Sequence, residues 1–150
     1  MNFRILEELS MSNYRAIGYA ILRQTVGLMF LFYGIGKFSA GLTNSAKGII
    51  KGFEHTLPTV LVSAFAYALP FAEVTIGALL FLGLLTRITL ILAGLLMMAL
   101  TVGVVISGQS GIVSNNVVYA FIIFVLVYLS DNNRYSIDTL LLRRWPRLSI

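Results

Sequence analysis

The stretch 58–107, PTVLVSAFAYALPFAEVTIGALLFLGLLTRITLILAGLLMMALTVGVVIS, decides the fold. It is apolar along nearly all of its length, and its only charged residues are Glu73 and Arg87. A helix needs about 20 apolar residues, rising 1.5 Å each, to cross a bilayer core. The stretch therefore holds two crossings, at about 58–85 and 88–107, and the first is long enough to tilt. Only a few residues around Thr86 and Arg87 separate them, which makes the pair a tight antiparallel hairpin.

A further apolar run lies on each side of this hairpin. Residues 16–38 are interrupted only by Arg23 and Gln24, and residues 115–130 form a shorter run that opens on Asn115 and Asn116. The sequence thus predicts an all-α polytopic membrane protein, a four-transmembrane-helix bundle in one membrane domain over 1–150. Residues 1–14, with Glu7 and Glu8 adjacent, read as a short surface segment; they lack the basic start and small-residue end of a signal peptide. In the first outer loop, Ile49, Ile50, Phe53 and Leu57 recur at near-helical spacing around Lys47 and Lys51, which predicts a short interfacial helix. In the tail, 131–150, Asp138 is placed to cap a brief helix, Arg143 and Arg144 fall in its last turn, and Pro146 stops it. Trp145 suits headgroup depth.

Composition agrees with a membrane home. Hydrophobic residues make up 58% and charged residues 11%, against roughly 25% charged in soluble domains. The absence of cysteine excludes disulfides, thiolate metal sites, iron–sulfur clusters and a thiol nucleophile. The single histidine, His55, sits beside Glu54 in the outer loop, and two such residues cannot build a metal site. One histidine also excludes bis-histidine haem within the chain, so no cofactor is intrinsic. Electrons, if handled, must travel on a borrowed carrier, a diffusible quinone or a partner's cofactor.

The net charge of +5 does not point to nucleic acid, because the basic residues sit at the ends of apolar runs and in the tail. Four crossings put Arg4, Arg15, Arg87, Arg134, Arg143, Arg144 and Arg147 on one side, and Lys37, Lys47 and Lys51 on the other. The positive-inside rule then predicts an inner (plasma) membrane protein with both termini in the cytoplasm.

Two charges inside the membrane need a mechanism. Glu73 lies about ten residues, and Arg23 about seven, from the cytoplasmic ends of their helices, hence roughly 15 and 10 Å deep. A lone charge at mid-span costs about 2.5–3.5 kcal/mol. Antiparallel packing therefore predicts an Arg23–Glu73 pair, the candidate catalytic pair. The spacing supports facing stripes: Arg23, Gly27, Phe30, Gly34 and Lys37 share one helical face, and Ser63, Ala66, Pro70, Glu73 and Gly77 share another. Small residues let helices approach closely in lipid, and a helix break at Pro70 would expose carbonyls to a cavity. Leu28, Leu31, Leu79 and Leu82 are left to face lipid. Candidate ligand contacts are Lys37, Gly34, Gly77, Tyr119, Asn115 and Asn116. The bland readings stand beside these: the pair as a register lock, Lys37 and Arg87 as snorkelling helix-end charges, Tyr119 and the asparagines as interface anchors, and Met97 and Met98 as filler.

Leu22-Arg23, YGIGKF at 33–38, EVTIGALLFLGLLTR at 73–87, Asn115 or Asn116 with Tyr119, and YSID at 135–138 together resemble the DoxX family of small four-helix membrane proteins. The resemblance spans 22–138 and is most specific at 73–87. It implies a four-helix bundle. Some members of that family resemble the quinone-reducing subunit of a thiosulfate:quinone oxidoreductase, and distant relatives look like cargo receptors or assembly chaperones. No soluble domain accompanies the helices here, so thiosulfate chemistry is not assigned to this chain. Three readings follow: a non-catalytic accessory or assembly subunit of a larger membrane complex, a quinone-binding oxidoreductase subunit in which Glu73 handles the proton and Arg23 tunes it, and a small transporter. The partners implied are lipid and other membrane subunits.

Overall fold

Pro58 pre-sets the backbone for a helix start, and Gly83 ends the same helix with a left-handed φ of 69°. The two mark out one span of the hairpin. The computed structural model describes residues 3–53, 56–108 and 110–144. Its helices are α1 (Phe3–Ser39), α2 (Leu42–Lys51), α3 (Thr59–Leu82), α4 (Thr86–Ile106), α5 (Ser110–Tyr128) and α6 (Ile137–Arg144), with a 3-10 turn at Ser130–Asn132. The segments Met11–Ser39, Thr59–Leu82, Thr86–Ile106 and Gly111–Tyr128 are each long and apolar enough to cross a membrane. This is an all-helical, four-span integral membrane protein. Glu54, His55, Trp145, Pro146 and Arg147 lie outside the described residues.

Three local expectations change. The separate surface segment at 1–14 is, from Phe3 on, the continuous start of α1. The fourth span belongs to a helix that begins at Ser110 rather than Asn115. And α3 runs unbroken through Pro70. The proline removes one backbone donor, and its ring is fully buried against the packed face, so the helix continues past it.

The bundle is organised around the antiparallel contact of α1 with α3, while α4 packs chiefly on α5. Glycines set the first contact. Gly27 lies against Gly77 and Phe81, where an added Cβ would stand 2.6 Å from the Phe81 nitrogen; Gly34 lies against Pro70 and Val74; and Gly83 lies against Arg23. Each step along α1 thus answers a step back along α3. Leu31, assigned to lipid from its spacing, has its backbone against Gly77. Phe30, Ile76, Leu80, Leu90, Met97 and Leu126 carry the core across α1, α3, α4 and α5. Ile91, Leu95, Met98 and Val102 form an exposed stripe along α4.

The same register shows that α1 stops short. Ser39 is level with a point about a third of the way along α3, which continues outward for roughly eight more residues, about 12 Å. Gly41, at φ 88°, turns the chain there, and α2 packs back against α3. Ser45 Oγ donates to the Lys37 carbonyl at 3.0 Å and ties α2 to the end of α1.

Candidate functional site

Buried polar side chains gather in two places, one at each end of the α1–α3 contact. The first is at the hairpin turn. Arg23 is 1% exposed, and its guanidinium donates to two backbone carbonyls, Leu80 O and Tyr135 O, each at 2.8 Å. Leu80 O belongs to the last turn of α3, where carbonyls have no helical donor left. The Leu84 N–H reaches Leu79 O and the Gly83 N–H reaches Leu80 O, completing the helix stop that left-handed Gly83 permits. The carboxylate of Asp138 accepts from the Leu85 N–H at 2.7 Å and the Thr86 N–H at 2.8 Å. It therefore caps α4, not its own helix. The cap of α6 is Ser136, whose hydroxyl accepts from the Thr139 N–H at 3.2 Å. Leu85 has φ 50° without being glycine, a costly conformation that Asp138 holds through the bond to its amide. The Arg23 Nε and the Tyr19 hydroxyl are buried without a hydrogen-bond partner among the described residues.

The Arg23–Glu73 pair does not form. In the register set by the glycines, Glu73 is level with a point on α1 roughly ten residues, about 15 Å, beyond Arg23. Counting depth from each helix end failed because α1 extends well past the turn that ends α3. Arg23 is thereby level with the end of α3 and serves its carbonyls.

The partner of Glu73 is Lys37. The ammonium lies 2.7 Å from both carboxylate oxygens. The Glu73 side chain is 5% exposed and that of Lys37 23%, and the ammonium also stands 5.7 Å from the Tyr33 ring centre. Lys37 is near the end of its helix, but that end is not the end of the bundle, since α3 and α2 continue beyond it. Snorkelling does not describe it. The signal was available in the sequence: Lys37 shared the stripe facing Glu73, and its four-carbon stem spans the single turn between their levels.

This ion pair lines a cavity of about 480 Å³ bounded by residues of all the helices from α1 to α5. Phe30, Leu69, Met97 and Leu100 provide apolar wall, and Ser45, Ile49 and Phe53 line it from α2 and the residues after it. Of the ligand candidates, Lys37, Asn115, Asn116 and Tyr119 line the cavity, while Gly34 and Gly77 are in the α1–α3 contact; of the catalytic candidates, Glu73 lines the cavity and Arg23 is in the hairpin cluster. The contribution of α2 was not foreseen. A short loop helix reads from sequence as a surface feature, and nothing local reports that α1 ends early beneath it.

Comparison with known proteins separates this chain from the family suggested by its motifs. A family model described as methylamine utilisation protein MauE matches residues 15–115. The chain belongs to the MauE family. That membrane family is different from DoxX, so the resemblance drawn from 33–38, 73–87 and 135–138 is corrected. These motifs are mainly glycine spacing and helix-end residues, and small residues are enriched at membrane helix interfaces in general. The MauE match contains Arg23, Lys37 and Glu73 and ends at Asn115, before Tyr135 and Asp138. No curated protein and no solved structure matches the chain.

Proposed function

We propose that this MauE family member is an accessory membrane subunit of a redox system and carries no electrons of its own. The family match carries the reading: dehydrogenation of methylamine to its imine is a two-electron oxidation that needs an acceptor, and a protein described by methylamine utilisation fits a role beside such chemistry. The chain contains no cysteine and one histidine, which supports dependence on a carrier held elsewhere. Purification from native membranes in mild detergent tests it. A redox protein is expected to accompany the chain in stoichiometric amount; a monodisperse chain without partners overturns the reading.

A second reading is favoured by the Lys37–Glu73 pair on the cavity wall. The cavity would hold a diffusible quinone for that system, with Glu73 taking or giving the proton and Lys37, in place of Arg23, holding the carboxylate. Quinone binding lost in Glu73→Gln supports it, and no binding at saturating quinone removes it. The excess of arginine on the side of the termini supports an inner-membrane location with both termini in the cytoplasm.

A further inference from the structure

The cavity beneath α2 has a charge character that limits what it can hold. Its acidic and basic groups, Glu73 and Lys37, neutralise one another at 2.7 Å, so the wall presents a dipole and no net charge. The geometry leaves hydrogen-bonding capacity on both partners. An ammonium has three donors and a carboxylate about four acceptor positions; the pair uses two donors and one position on each oxygen.

A second polar group converges on the same space. Asn116 is 8% exposed and lines the cavity, and its side-chain amide makes no hydrogen bond among the described residues. The amide is not among the buried polar atoms that lack a partner, so it stays open through the cavity, and it offers a donor and an acceptor together. The remaining wall is largely apolar, and the volume falls within the roughly 300–1,000 Å³ of small-molecule sites.

We propose that this cavity binds an uncharged amphipathic molecule, its carbonyl or hydroxyl head held by the Lys37–Glu73 pair and the Asn116 amide and its apolar body lying against Phe30, Leu69 and Met97. A charged head is disfavoured. An anion meets Glu73 as it approaches Lys37, a cation meets Lys37 as it approaches Glu73, and neither finds a net countercharge to offset its lost hydration. The proposal shares its site with the quinone reading but does not need the ligand to be a quinone; a neutral glycerolipid has the same chemistry.

Native mass spectrometry of the purified chain in maltoside micelles tests this with four probes: decylubiquinone, monoolein, oleate and oleylamine. At least one neutral probe is expected to bind about tenfold more tightly than either charged one, and that affinity is expected to fall about tenfold in Asn116→Leu. Equal or tighter binding of oleate or oleylamine overturns the proposal, as does unchanged binding of the neutral probe by folded Asn116→Leu. The charge preference is read on the unaltered chain, so it does not depend on a variant folding. Binding of monoolein but not decylubiquinone upholds the proposal and removes the quinone reading. Binding of neither neutral probe removes both, and leaves the accessory role to be decided by co-purification.

Discussion

Lys37 and Glu73 are worth most to the bundle as a pair, because each is costly in this environment without the other. Glu73→Ala strands an ammonium that is only 23% exposed, and the expected loss is about 3 kcal/mol, measured by unfolding in detergent. Lys37→Met combined with Glu73→Leu is expected to recover most of that loss, since neither charge then remains. Arg23 is outside this unit. The effects of Arg23→Leu and Glu73→Gln should add to within about 0.5 kcal/mol, as for sites more than 10 Å apart without shared partners; a larger coupling would contradict the register described above. Tyr19→Phe removes a buried hydroxyl that has no partner among the described residues, and a gain of about 1 kcal/mol is expected in the same assay. At this scale the sequence showed which ionisable residues are buried but mispaired them. Side-chain partners depend on helix register in space, and register depends on where each helix begins.

The helices themselves were largely legible, because hydrophobic run length alone specifies a span. The facing stripes were legible too: Gly27, Gly34 and Gly77 sit where the spacing placed them, at the α1–α3 contact. What could not be read was where α1 begins: its end at Ser39 falls one residue past the expected 38, but its first residues are mixed in polarity and carry no hydropathy edge. The closeness of α1 and α3 gives a direct test. A side chain at Gly77 would strike the backbone of Leu31, so Gly77→Val is expected to cost about 1–3 kcal/mol by prising the helices apart. Gly18 and Gly48 are helical with nothing within 4 Å of an added Cβ. Gly18→Ala and Gly48→Ala are each expected to raise stability by about 0.5–1 kcal/mol. Thermal melts of the three variants check both directions together.

Taken whole, the molecule divides its polar groups between a hairpin lock made of backbone caps and a cavity lined in part by α2. The arginines counted on the side of the termini set the expected orientation. A fluorescent protein fused after the tail is expected to light up, and alkaline phosphatase at the same point to stay inactive; the reverse pattern would invert the topology. The lock also imposes an order of events during synthesis. A ribosome delivers Arg23 and the α3–α4 turn early, but the Tyr135 carbonyl and the Asp138 carboxylate emerge only after the fourth helix. Until then the amides of Leu85 and Thr86 must be served by water at the membrane edge. The nascent hairpin therefore enters the bilayer unlatched, and the segment from Tyr135 to Asp138 is what fastens it.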